Sequence, residues 1–250
     1  MKRIELIGLE GMGEIRRGDS VGRLICDACA REQIEVTDDD VLVVAQKIIS
    51  KSEGRLVNLE AVAPSARAHE LGRKLEKDPE LVEVILGESR RVIRSGGRAL
   101  IVETHHGFVC ANAGVDQSNV GLKQVALLPQ DPDRSARAIR GEIQRRLGKG
   151  PGIIVSDSFG RAWRLGTVDV AVGIAGIKAI RDERGAHDRY GYQLKAAVAA
   201  VADEIAAAAE LVMGKRDGIP VVIVRGYQSE KKEEGSVQEL LRPETEDLFR

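Results

Sequence analysis

Strands and helices that follow one another without a strict alternation predict an α+β protein, with mixed sheets flanked by helices. Three observations carry this reading. The apolar runs 41–45, 153–155 and 221–224 are short and continuous, as in strands buried on both faces. Residues 64–95 place Val82, Ile85 and Leu86 at helical spacing, and 132–147 read as a helix framed by Asp133 near its start and Gly148 just past its end. No fixed-period repeat is visible, which excludes solenoids and propellers.

In order, a strand from Arg3 to Ile7 runs into the Gly-rich turn Gly8 to Gly13. Asp19 or Ser20 can cap the helix that carries Val21, Leu24, Ile25 and Ala28 on one face. Asp38 to Asp40 precede the strand at 41–45, and Ser50 to Arg55 form a loop or short helical turn. Pro64 and Ser65 open the helical stretch 64–95, which Asp78-Pro79 interrupts. Leu100 to Val102 and Gly107 to Cys110 suggest a hairpin, followed by a polar loop from Ala111 to Asn119. After the helix 132–147, which is basic, Ile153 to Val155 lead into a polar loop from Ser156 to Arg161. An apolar stretch from Val168 to Ile174, a helix from Tyr192 to Met213, a strand at 221–226 and a charged tail complete the chain.

At roughly 100–200 residues per domain, 250 residues allow a single module or two closely packed subdomains. With 38 basic and 39 acidic side chains the net charge is -1, which gives no reason to expect nucleic acid or an anionic membrane as partner. A hydrophobic share of 43% suits a folded protein, and only 3% aromatic residues mean an aliphatic core. The Ala-rich segment near Ala196 is broken by Asp203 and Glu204, so no run is long enough to cross a membrane. The N-terminus has no uninterrupted apolar segment or small-residue cleavage site, and a cytoplasmic protein is expected. Three cysteines, Cys26, Cys29 and Cys110, do not make a disulfide framework.

The chemically informative residues are acids at the ends of apolar strands. Asp116 follows one strand, and Asp157 follows another with a hydroxyl beside it at Ser158. Hard divalent cations take oxygen ligands, commonly one or two carboxylates plus phosphate oxygens. Two Asp and a Ser therefore fit a metal–nucleotide site; Asx-turns that simply end the strands fit as well. The standard phosphate templates fail. Gly11-Met12-Gly13 lacks the third glycine of a dinucleotide fingerprint, and Gly214-Lys215 is followed by Arg216 rather than Ser or Thr. Lys51 could meet a phosphate as a point charge or be a solvated loop lysine. Arg161 and Arg164, around Trp163, could bind carboxylates or phosphates, or pair with local acids. The basic helix reads as a solvated face, Cys26 and Cys29 as buried small side chains, and at most one of His105 and His106 as functional.

The ordered set of segments is more specific than any part. Asp40 to Val44 runs into Ile48-Ile49-Ser50-Lys51-Ser52-Glu53-Gly54-Arg55; Ala111 to Asn119 precedes Leu127-Leu128-Pro129; then come Val155 to Arg161, Val201 to Ala206 and Leu211 to Gly214. Over nearly its whole length the chain resembles the coenzyme F420:L-glutamate ligase family. The resemblance implies an α+β homodimer with a family-specific fold that adds γ-linked L-glutamate to a deazaflavin precursor. It also implies GTP as co-substrate, two Mg²⁺ or Mn²⁺ ions and potassium as activator. Residue by residue, it places Met12, Gly13, Glu14 and Ile15 in a first nucleotide loop and Gln46, Lys47 and Lys51 in a second. It gives Asp116 to a metal and Asn119 to the nucleotide, Asp157 and Ser158 to the two metals, and Leu211 to Gly218, with Met213, Gly214 and Lys215, to a guanosine-phosphate loop.

Two departures stand out. Gln46 and Lys47 occupy positions where some relatives have small hydroxyl residues, and Lys215 stands where a relative places a metal-binding Glu. Amide formation from a carboxylate needs activation, which phosphoryl transfer to that carboxylate would supply through positioning and charge neutralisation. No residue is assigned as general base, and Arg161 and Arg164 are the candidates for substrate carboxylates. A fused reductase domain, which some relatives carry, is not expected here. Two alternatives share the same residues: a GTP-using ligase or kinase with another carboxylate acceptor, and a non-catalytic nucleotide-binding subunit.

Overall fold

Val41, Leu42, Val43 and Val44 have no exposed surface. Side chains alternate along a strand, so the sheet they join is covered on both faces. The computed structural model, which describes residues 2–248, shows how. The chain begins with β1 (Glu5–Leu9), α1 (Val21–Glu32), β2 (Val41–Ala45), α2 (Gln46–Ser52) and β3 (Leu56–Asn58). It continues through α3 (Ala66–Leu75), α4 (Pro79–Gly87), β4 (Ser89–Gly96), β5 (Ala99–Thr104), β6 (Val109–Ala111) and β7 (Gln124–Ala126). Then come α5 (Pro132–Leu147), β8 (Gly152–Arg161) and β9 (Arg164–Ile177). The last elements are β10 (Arg181–Asp182), β11 (Val198–Ala199), α6 (Val201–Met213), β12 (Val221–Arg225) and β13 (Lys231–Lys232).

The main sheet has the order β1-β12-β2-β8-β9-β13. Only β2 and β8 run parallel; the other neighbours are antiparallel, so the sheet is mixed and the fold is α+β. Three smaller sheets pair β4-β5-β6, β3-β7 and β10-β11. Helices α1 and α5 pack on each other, α5 lies on β8 and β9, and α6 runs across β1, β12, β2, β8 and β9. The core between them is aliphatic: Ile25, Leu42, Ile153, Ile154, Ile174 and Ile223 are fully enclosed. A second apolar cluster, with Leu75, Val82, Ile85, Leu100 and Val102, lies under α3, α4 and the three-stranded sheet.

Local chemistry explains where elements begin and end. Ser20 caps α1 by accepting from the Arg23 N–H, and Asp131 caps α5 by accepting from Arg134. Pro132 opens α5 and Gly148, left-handed at φ 67°, closes it, so this helix lies where the sequence predicts. Buried Asp40 accepts two hydrogen bonds from Arg225, at 2.9 and 2.8 Å, which fastens the start of β2 to the end of β12.

Several boundaries differ from expectation. The first strand is displaced to Glu5–Leu9. The stretch 64–95 is not helical throughout: α3 and α4 end at Gly87, and Ser89–Gly96 pairs as an edge strand with β5. The segment 50–55 is the expected short helical turn and loop, but its helical part completes α2, which starts directly at the end of β2. Ser156 to Arg161 is not a loop but the second half of β8, paired with β9. Residues 192–200 do not belong to the last long helix, because Val198–Ala199 pairs with β10 and α6 starts at Val201. His105 and His106 sit in the turn after β5 rather than on a strand; their ring nitrogens meet the Gly87 and Pro129 carbonyls. The expected hairpin is present as β5 and β6, and Cys26, Cys29 and Cys110 are buried free thiols.

Candidate active site

Pairing between the parallel neighbours β2 and β8 ends with Ala45 opposite Ser156, where β2 stops and β8 runs on beside β9. The helix that follows β2 and the continuing half of β8 build part of the site. After β2 the chain turns at once into α2, whose Lys47 and Lys51, four residues apart, share one helix face. The back of α2 is buried: Ser50 lies 2.6 Å from the Leu127 carbonyl oxygen and 2.7 Å from the side-chain amide of Gln46, which is itself 2% exposed. Beyond Val155 the β8–β9 ladder slips register, opposing Val155 to Gly173 but Ser156 to Ala171. Such a bulge re-aims side chains, and here it precedes Ser156, Asp157 and Ser158.

A cavity of about 660 Å³ opens at this strand end. Most of the expected residues meet in its lining. Gly13 and Glu14 come from the first loop, and Gln46, Lys47 and Lys51 from the second. Asp116 and Asn119 come from the loop before β7, Asp157 and Ser158 from β8, and Met213, Gly214 and Lys215 from the end of α6. Two contacts tie these loops together. Lys51 Nζ donates to Glu14 Oε1 at 2.5 Å, and Asn119 Nδ2 donates to the Lys215 carbonyl oxygen at 3.2 Å. Gly214 adopts φ 52° and ψ -177°, a region closed to residues with a side chain, and so lets the loop leave α6 sharply.

Four expected residues lie outside the lining. Met12 and Ile15 are buried, 8% and 5% exposed, and anchor the first loop in the core. Arg161 and Arg164 stand at the exposed end of the β8–β9 hairpin, where Arg161 donates to the Leu165 carbonyl oxygen.

The carboxylates differ in their surroundings. Asp116 accepts from Lys47 Nζ at 2.6 Å and from the Ser118 N–H at 2.7 Å. Burial opposes its charge, but these bonds outweigh it and hold the carboxyl below its ordinary range. Among the described residues no such cation contacts Asp157. Burial, with Asp169 and Asp116 nearby, pushes its carboxyl up to about 7 even though the Ser158 N–H favours the charged form.

Asp169, which sequence reasoning passed over inside an apolar run, is buried opposite Ser158. It accepts from Ser158 Oγ at 2.6 Å and from Ser156 Oγ at 2.9 Å. The sequence held half of the signal, an acid in an apolar run that needs partners; the two serines that supply them become visible only once β8 pairs with β9. Alternation along β8 puts Asp157 on the face opposite to Ser156 and Ser158, so Asp157 and Ser158 serve different sides of the strand end.

Among the described residues no three His, Cys, Asp or Glu side chains close around one point as a ready metal cage. The oxygen donors nevertheless suit a hard cation. Asp157 is a half-buried carboxylate with no neutralising partner among the described residues, and Mg²⁺ sites commonly take one or two carboxylates and leave the rest to water and phosphate. No described helix is long and apolar enough to cross a membrane.

A family model described as F420-0:Gamma-glutamyl ligase matches residues 11–226. The chain is 47% identical over 249 residues to the coenzyme F420:L-glutamate ligase of Methanothermobacter thermautotrophicus, covering 99% of both chains. It is 43% identical over 250 residues to the protein of that name from Methanocaldococcus jannaschii, covering 100% of this chain and 98% of the relative. With the Archaeoglobus fulgidus protein of that name it shares 43% identity over 249 residues, 99% of this chain and 97% of the other.

Proposed function

This chain belongs to the F420-0:gamma-glutamyl ligase family, and from that footing we propose that it joins L-glutamate by an amide bond to the deazaflavin precursor of coenzyme F420, with cleavage of GTP. The observation that carries the reading is the meeting of Lys47, Lys51, Asp116, Asp157 and Ser158 in one cavity, from loops far apart in the sequence.

In the proposed reaction the precursor's terminal carboxylate oxygen attacks the γ-phosphorus of GTP. The β–γ phosphoanhydride bond breaks, and GDP and an acyl phosphate form. The amine of L-glutamate, after loss of a proton, attacks the acyl carbon; the C–O bond to phosphate breaks and inorganic phosphate leaves. Neither step needs a side-chain nucleophile, which agrees with the absence of a Ser–His or Cys–His pair among the cavity residues.

Lys51 supplies positive charge to the phosphates, and the loops around Gly13 and Gly214 bring backbone N–H groups close to them. Asp116 and Asp157 would hold one divalent ion, and Ser158, on the opposite face, a ligand position of a second. Such ions, when bound, neutralise charge on the transferring phosphoryl group. Lys215 cannot replace a metal-binding Glu, because an ammonium has no lone pair to offer; its side chain is assigned to a phosphate or to solvent.

A homodimer is part of the proposal. Trp163, Leu165, Tyr190 and Tyr192 are exposed on the β8–β9 tip and the segment after it, the kind of apolar surface that a second copy covers. The test of function is incubation with GTP, Mn²⁺, L-glutamate and the deazaflavin precursor. A product heavier by one or more glutamyl units is expected; GTP cleavage with no glutamylated product overturns the proposal.

A further inference from the structure

Lys47 Nζ makes three contacts: with Asp116 Oδ2 at 2.6 Å, the Ser118 carbonyl oxygen at 2.7 Å and Ser118 Oγ at 2.7 Å. An ammonium has three hydrogens, so this arrangement uses all of them and leaves none for a ligand. Asp116 is equally engaged. Its Oδ1 accepts from the Ser118 N–H at 2.7 Å, and its Oδ2 accepts from Ser118 Oγ at 2.9 Å as well as from Lys47. Lys47 is only 17% exposed along its side chain and Asp116 is 39% exposed, so the lysine lies in the cavity wall and the carboxylate opens toward the cavity.

Two roles assigned to these residues conflict in this arrangement. A cation that takes Asp116 Oδ2 meets the Lys47 ammonium at the same oxygen, and like charges there repel. A phosphate that takes Lys47 must draw it from Asp116. Each event removes the obstacle to the other.

We propose that Lys47 is a tethered cation that occupies the metal position at Asp116 until a nucleotide and its divalent ion arrive together, whereupon the ammonium passes from the carboxylate to a phosphate. Lys47 is thus a positioning residue that makes metal binding depend on nucleotide. This deepens the metal-nucleotide reading of the site and rests on it. By linkage, metal and nucleotide each tighten the other's binding, and removing the Lys47 charge weakens that coupling from both sides.

The experiment titrates Mn²⁺ into the metal-free protein and follows free Mn²⁺ by electron paramagnetic resonance. Titrations are run with and without a GTP analogue whose β–γ bridge cannot be cleaved. Lys47→Met and Lys47→Gln, which both remove the charge, should bind Mn²⁺ about tenfold more tightly than wild type without nucleotide, or about 1.4 kcal/mol. Lys47→Arg keeps the charge and should bind as weakly as wild type. Adding the analogue should tighten Mn²⁺ binding more for wild type than for the uncharged variants. Asp116→Asn should bind Mn²⁺ more weakly in every condition. If Asp116→Asn weakens binding while neither uncharged variant tightens it, the role of Lys47 is overturned and the metal site stands. If Lys47→Arg tightens as much as Lys47→Met, charge is not the cause and the proposal fails. If Asp116→Asn leaves Mn²⁺ binding unchanged, the metal reading of Asp116 fails together with the role built on it.

Discussion

Lys51 Nζ lies 2.5 Å from Glu14 Oε1, a side-chain contact that joins the loop after β1 to the helix after β2 on the wall of one cavity. Glu14 is mostly exposed while Lys51 is not, so the lysine is held by the fold and the glutamate comes to it. An incoming phosphate therefore competes with a carboxylate that is free to withdraw into water.

Lys51→Met should weaken binding of a GTP analogue by about tenfold or more, since a charge-assisted bond to phosphate is lost. Stability should change by no more than about 0.5 kcal/mol, because a pair with one exposed partner contributes little to folding. Fluorescence titration of the nucleotide, with a thermal melt alongside, checks both. Unchanged nucleotide affinity would remove Lys51 from the phosphate site.

Asp169→Ala should destabilise the protein by about 2 kcal/mol, because Ser156 and Ser158 both lose their acceptor within the sheet. Asp169→Asn, which keeps one acceptor oxygen, should cost less. Denaturant unfolding of the two variants decides it. Equal midpoints for wild type and Asp169→Ala would mean that the serines find other partners.

Asp157 gives a pH signature. Its carboxyl titrates at about 7 in the folded protein against 3.8 ordinarily, so between these values the native state holds more protons than the unfolded one. Stability from this group is therefore lost as pH rises through that window. Metal-free Asp157→Asn should match wild type near about pH 4 and exceed it at about pH 8 by on the order of 2 kcal/mol, a figure already reduced for solvent screening. Mn²⁺ should restore stability at the higher pH to wild type and not to the variant. Parallel stability–pH curves for the two proteins would contradict the half-buried, unpaired state of Asp157.

The central strands and the long basic helix were legible because their signals are local. Continuous Val and Ile runs mark β2 and β12, and Pro132 with Gly148 brackets α5. What was not legible depends on partners distant in sequence. Ser156 to Arg161 is polar and reads as a loop, yet β9 pairs with it and Asp169 satisfies its serines. Ser89–Gly96 carries Arg90 and Arg91 and reads as the end of a helix, but it is an edge strand whose two arginines pair with the buried Glu103 of β5. Ala196 to Ala200 has strong helix propensity, yet pairing of Val198–Ala199 with Arg181–Asp182 overrides it. Acids at strand ends suggested a metal–nucleotide site without deciding it against simple turns, and the family resemblance supplied the individual roles. The buried acid Asp169 escaped because a single Asp in an apolar run shows its meaning only beside the opposite strand.

The most direct measurement of the account labels the terminal carboxylate of the deazaflavin precursor with heavy oxygen and supplies GTP, Mn²⁺ and L-glutamate. Transfer of the γ-phosphoryl group to that carboxylate, followed by attack of the glutamate amine on the acyl carbon, leaves one labelled oxygen in the released phosphate. The account predicts a glutamylated product together with phosphate carrying one heavy oxygen per amide bond formed. A glutamylated product accompanied by unlabelled phosphate would contradict it.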